Sequence, residues 1–197
     1  MGNLRSVQKA IEHTGTPAIV SGDPVVLSQS SHLVLPGVGA FGDAIQELKR
    51  RGLVSLIRDW AQSTKPFLGI CLGMQLLFDT SDEGGLFEGL GILPGKVVRF
   101  DPPGRDEDRK VPHMGWNQVV STYSPDVLLE GLAPQPFFYF VHSYFVVPSD
   151  PNVEWLRAEY GTPFCAAVRS GNLLATQFHP EKSQRDGLQL IANFLKM

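Results

Sequence analysis

The chain has 197 residues, enough for one sizeable domain, and its 43% hydrophobic and 19% charged content excludes disorder for the bulk of it. With 17 basic and 20 acidic residues the net charge is −3, and no basic stripe stands out, so nucleic-acid binding is disfavoured. No apolar run reaches the ~18–20 residues of a membrane span, and no secretory signal opens the sequence. Two cysteines, Cys71 and Cys165, are too few for a disulfide framework or a zinc knuckle. The expectation is a cytoplasmic protein with no metal and no cofactor.

Leu4, Val7 and Ile11 fall at helical spacing, with Asn3 placed to cap the helix and Gly15-Thr16-Pro17 to stop it. Ala18 to Val20 reads as a short strand, and Asp23-Pro24 as the start of a helical turn. Leu33 to Leu35 is a second buried strand, ending in the tight loop Pro36-Gly37-Val38-Gly39. Phe41, Ile45 and Leu48 mark one helix; Leu53, Leu56, Ile57 and Trp60 mark another. Pro66 to Ile70 reads as a strand running into Cys71, and Leu72 to Phe78 as a helix. This alternation predicts a parallel sheet covered on both faces.

The second half reads differently. Phe100 to Lys110 is polar and is expected to be an exposed loop. Phe137 to Val147 is rich in aromatics and reads as strand. Phe164 to Arg169 and Leu173 to Phe178 flank Ser170-Gly171-Asn172 and predict a hairpin. Leu188, Ile191, Phe194 and Leu195 mark a last helix. There is no internal repeat and no dividing linker, so residues 1–197 are expected to form a single domain.

Gly69-Ile70-Cys71-Leu72-Gly73 sits where a strand meets a helix. A residue there occupies a sharp turn that flanking glycines permit, as in the Gly-x-Ser-x-Gly elbow of hydrolases. The helix N-terminus that follows favours negative charge, and the Leu72 N–H points towards a developing oxyanion. The motif alone leaves a reactive cysteine and a plain buried one both open. Gln177-Phe178-His179-Pro180-Glu181 favours the first. His179 can take the thiol proton and hand it to a leaving amine, while Glu181 orients the ring and stabilises its cation. His13 and His32 read as surface or capping residues and Cys165 as a packed thiol. His113 and His142 have richer surroundings, but no third ligand supports a metal.

These segments, together with Pro36-Gly37-Val38-Gly39 and in this order, resemble the class I (triad-type) glutamine amidotransferases. Four further matches narrow the resemblance: Pro36 to Phe41, Pro112-His113-Met114-Gly115-Trp116-Asn117, Tyr139 to Tyr144, and His179 to Ser183. They are similar to the glutaminase subunits of imidazole glycerol phosphate synthases, from histidine biosynthesis. The resemblance implies a mostly parallel central sheet flanked by helices, plus a smaller antiparallel part. It implies Cys71 as nucleophile, His179 as base and acid, and Glu181 as the orienting carboxylate. Leu72 with Val38 and Gly39 would form the oxyanion hole, and Gln75, Ser143 and Tyr144 would hold glutamine. Asn3, Trp116, Tyr139 and Lys182 would face the partner, a (β/α)₈-barrel cyclase in a heterodimer; Trp116 and Tyr139 also fit ordinary packing. The family pattern opens with an apolar strand ahead of a glycine-asparagine loop similar to Met1-Gly2-Asn3-Leu4. That first strand is apparently missing: either the start codon is assigned too late, which is the expectation, or the protein is a fragment.

Three other functions compete with this reading. One is the glutaminase subunit of a different amidotransferase, serving anthranilate, nucleotide or pyridoxal phosphate synthesis; Pro112 to Asn117 and Lys182-Ser183 weigh against it. Another is a non-catalytic binding or regulatory homologue, and the third a cysteine peptidase.

Overall fold

The computed structural model describes residues 4–102, 110–122 and 125–197. Asn3 and most of the polar segment after Phe100 therefore lie outside the described residues.

The chain opens with α1 (Leu4–His13), whose buried stripe is Val7, Ala10 and Ile11. The helical turn α2 (Pro24–Ser28) starts as read: the Asp23 carboxylate accepts the Val25 N–H, and proline takes the first helical position. Then come β1 (Leu33–Gly37), α3 (Phe41–Arg50), α4 (Leu53–Gln62) and β2 (Phe67–Cys71). After β2 follow α5 (Leu72–Gln75), β3 (Phe78–Ser81), β4 (Phe87–Glu88) and β5 (Leu93–Arg99). The second half contains β6 (His113–Gln118), β7 (Val120–Ser121), β8 (Phe137–His142) and β9 (Tyr144–Pro148). It continues through β10 (Glu154–Glu159), β11 (Pro163–Ser170), β12 (Leu173–Thr176) and α6 (Gln184–Phe194).

Ten strands form one sheet in the order β1-β2-β12-β11-β9-β5-β3-β4, with β10 paired to β11 and β7 to β10. The part that matters for the site is parallel: β2 lies between β1 and β12 and runs parallel to both. β6 and β8 form a separate antiparallel pair. The architecture is α/β, as expected, with helices on both faces and a smaller antiparallel sheet beside it. Leu68 and Ile70 of β2 pack on the side of α1, α6 and the small sheet, while Phe67 packs on the side of α3 and α4. That alternation is the two-residue period of a strand buried on both faces. Among the described residues no helix is long and apolar enough to cross a membrane.

Three local expectations are corrected. Ala18 to Val20 forms no strand. Among the described residues the run pairs with no strand of either sheet. The Ala18 carbonyl accepts from the Gln8 side chain instead, and Ile19 and Val20 stand 66% and 52% exposed. The helix read over Leu72 to Phe78 stops at Gln75. Beyond it the carbonyls of Leu76, Leu77 and Phe78 accept N–H groups from Leu90, Ile92 and Gly91, which draws the chain into β3. The strand read over Phe137 to Val147 is two strands: the chain changes sheet at Ser143, whose carbonyl accepts the Phe100 N–H. The hairpin forms as read, with β11 antiparallel to β12 across the Ser170–Leu173 turn.

Candidate active site

Cys71 ends β2 with φ +56° and ψ −113°, a backbone conformation that costs a non-glycine residue about 1–3 kcal/mol. The surrounding packing enforces it. A Cβ at Gly73 would lie 1.8 Å from the Leu35 carbonyl oxygen of β1, and one at Gly69 would lie 3.0 Å from Ala175 Cβ of β12. Both glycines let the turn nest between the neighbouring strands. The expected helix dipole is small here, because α5 has four residues. The backbone N–H groups at the start of that turn, which a helix leaves without partners inside itself, are what favours negative charge beside Cys71.

The loop after β1 presses on this elbow. A Cβ at Gly37 would come within 2.9 Å of Leu72 Cβ and 3.0 Å of the Gly73 nitrogen. Gly39 follows with φ +98°, open to glycine and strained for other residues. Val38 is 43% exposed and lines one small cavity with Val7, Ile70, His179 and Glu181. Gly37 of this loop thus packs on Leu72, Val38 faces the cavity beside His179, and Gly39 follows next in the chain.

His179 lies just beyond β12, where β2's parallel neighbour ends, and its N–H donates to the Tyr139 carbonyl of β8 at 2.9 Å. Its Nδ1 is 2.8 Å from Glu181 Oε1, and both side chains are buried. A carboxylate accepts, so Nδ1 carries a proton, and Nε2 is the ring nitrogen left to gain or give one. That Nε2 and Glu181 Oε2 are buried without hydrogen-bond partners among the described residues. Burial pushes the imidazole pKa down, but Cys71 and Glu181 together outweigh it and raise the value to about 9. Ser183 pins this turn: its hydroxyl donates to the His179 carbonyl at 2.6 Å and accepts the Tyr139 N–H at 3.0 Å.

Gln75 is buried, and its amide donates to the Tyr144 carbonyl at 3.0 Å and to Gln177 Oε1 at 2.9 Å. Gln177 Nε2 in turn lies 3.7 Å from Cys71 Sγ. Sequence reasoning did not single out Gln177 or Ser183 for a role. The signal was their place in the same motif, two residues before and four after the histidine. Ser143, expected beside Tyr144, sits at the sheet change with its carbonyl turned to Phe100.

Of the residues read as partner-facing, Trp116 and Tyr139 lie on the small sheet and Lys182 lies beside it, while Asn3 falls outside the described residues. Trp116 and Tyr139 are register partners across β6 and β8, with ring centroids 6.3 Å apart. The Lys182 ammonium lies 5.8 Å from the Tyr139 ring centre. Trp116 is 46% exposed, and Met114 and Phe137 are more so. An open groove of ≈ 530 Å³ runs beside them, lined by Trp116, Gln135, Phe137, Gln184 and Arg185 among others.

The family described as "Glutamine amidotransferase class-I" matches residues 7–197. The imidazole glycerol phosphate synthase subunit HisH of Rhodopirellula baltica is 56% identical over 195 residues, covering 98% of this chain and 92% of that one. The subunit of the same name from Syntrophotalea carbinolica is 53% identical over 196 residues, covering 98% and 95%. A crystal structure of a glutamine amidotransferase superposes with a TM-score of 0.74 at 22% identity, covering 99% of this chain and 93% of that one. That likeness shows the shared fold.

Proposed function

The chain belongs to the class I glutamine amidotransferase family, and on that premise we propose that it hydrolyses L-glutamine to glutamate and ammonia through a thioester on Cys71. The amidotransferase activity comes with the family and with the HisH relatives; the residue roles are our reading. The observation that carries that reading is the buried His179–Glu181 contact at 2.8 Å, with Cys71 acting on the same imidazole to favour its protonated form.

The Cys71 thiol proton resides on His179 Nε2, as the raised pKa of that ring favours, and Sγ bonds to the side-chain amide carbon of glutamine. The N–H of Leu72 and the Val38–Gly39 segment stabilise the oxyanion, each donor being worth about 3–4 kcal/mol in the transition state. Collapse breaks the C–N bond, and His179 gives its proton to the departing ammonia. Water then adds to the thioester with His179 as base, the C–S bond breaks, and glutamate leaves. Glu181 holds the imidazole tautomer throughout. Gln75, Ser143 and Tyr144 hold the amino-acid end of the substrate.

The name of the relatives implies a cyclase partner. We read that partner as a (β/α)₈ barrel seated on Trp116, Tyr139 and Lys182 in a heterodimer. There it would receive the ammonia to make imidazole glycerol phosphate and an aminoimidazole carboxamide ribotide. The whole chain would act as one domain.

The test is ammonia release from glutamine with and without the cyclase. Cys71→Ala is expected to lower release by more than ~10³-fold. Release that survives this change would overturn the mechanism. Release that ignores the cyclase would overturn the delivery step.

A further inference from the structure

Two buried histidines take no part in that mechanism. His113 of β6 and His142 of β8 are register partners in the small sheet, 3% and 6% exposed. His113 Nδ1 lies 2.9 Å from His142 Nε2, and His142 Nδ1 lies 2.9 Å from the Tyr144 carbonyl oxygen. The partners fix every proton. The carbonyl only accepts, so His142 carries its proton on Nδ1. Its bare Nε2 must then accept, so His113 also carries its proton on Nδ1. The bare Nε2 of His113 faces the Asn117 amide nitrogen at 3.3 Å, and that nitrogen's other N–H donates to the Glu159 carbonyl at 2.8 Å. Burial keeps both rings neutral, with pKa values held down to about 4 for His113 and about 3 for His142. No second tautomer satisfies the same set of acceptors.

The relay ends in the site. The Tyr144 carbonyl that accepts from His142 also accepts from Gln75, and Gln75 continues through Gln177 to Cys71. One hydrogen-bonded line therefore runs from Asn117, beside exposed Trp116 and Met114, to the thiol.

We infer that His113 and Asn117 are positioning residues for the glutamine site. By fixing the His142 tautomer they aim the Tyr144 peptide and the Gln75–Gln177 amide pair at the substrate. The inference rests on the glutamine reading above. Neither residue touches the substrate, so the loss on breaking the relay falls on KM more than on kcat. Packing alone predicts otherwise: the His113 ring stacks on Tyr160 at 3.9 Å and on Phe140 at 4.9 Å, and a phenyl ring would keep those contacts.

The experiment measures steady-state glutamine hydrolysis by the full chain with its cyclase subunit. His113→Phe keeps the ring and breaks the relay; it is expected to raise KM about tenfold, the scale of one hydrogen bond, with kcat changed less than about threefold. His113→Asn restores a donor near the Nδ1 position and is expected to recover most of the loss. Asn117→Ala, on a half-buried site, is expected to raise KM about threefold and covers the case in which His113→Phe does not fold. Alkylation of Cys71 by iodoacetamide is expected to be unchanged in all three. An unchanged KM in the folded variants, or a loss confined to kcat or to the yield of folded protein, overturns the inference while the glutamine reading stands. No ammonia release from glutamine by the unaltered complex overturns both.

Discussion

Three buried imidazoles in one neighbourhood titrate in opposite directions. His179 has its pKa raised from 6.5 to about 9. The folded protein holds that proton more tightly than the unfolded chain, so its contribution to stability is complete below about pH 6.5 and is lost as pH rises through about 9. His113 and His142 have theirs lowered, to about 4 and about 3. For them the unfolded chain binds more protons, so stability falls as pH drops from about 6.5 towards 3. From these three groups stability is greatest near pH 6.5. Thermal unfolding between pH 4 and 10 checks this: Tm is expected to fall on both sides. Glu181→Gln is expected to flatten the alkaline side, because it removes one of the two groups that hold the His179 proton. His179 and Glu181 were legible in the sequence because a proline fixes their spacing. The histidine relay was not, since His113 and His142 are 29 positions apart and meet only through sheet register.

At the scale of elements, the Cys71 turn and the loop beside it are locked together backbone to backbone. Gly73→Ala would place a methyl group 1.8 Å from the Leu35 carbonyl oxygen, and backbone cannot yield as a flexible side chain can. The expected cost is about 2–4 kcal/mol of stability, with glutaminase activity reduced by more than about 100-fold, since β1 and α5 must separate. Urea denaturation and the ammonia assay check the two effects. Glycines at such contacts are why the elbow could be read from five residues. The length of the helix after it could not, because Leu90 to Leu93 capture the carbonyls that would have continued it. The change of sheet at Ser143 was hidden for a related reason. Phe137 to His142 and Tyr144 to Pro148 have the same β-prone composition, and only their partners, β6 for one and β5 with β11 for the other, tell them apart.

At the scale of the molecule, the site is assembled where two sheets meet. Cys71 comes from the parallel part of the large sheet, and His179 is tied by its N–H to β8 of the small one. The small sheet carries the exposed Met114, Trp116 and Phe137 on its outer side. Trp116→Ala is expected to change stability by less than about 0.5 kcal/mol and to weaken the cyclase complex about 10- to 100-fold. Calorimetric titration together with denaturation separates the two. The α/β class was legible from the alternation of the first half, whereas β5, β6 and β10 carried no pattern strong enough to be read. Among the described residues one side of β1 carries no strand, and that side has its own donor–acceptor arithmetic. The Leu33 N–H donates to the Pro66 carbonyl on the β2 side, so by alternation Leu35 and Gly37 also turn to β2, while Val34 and Pro36 turn away. Proline has no N–H. The outward edge therefore offers two acceptors against a single donor, Val34. A strand laid along it would find only half of its own carbonyls matched, so this rim discriminates against casual strand-to-strand aggregation.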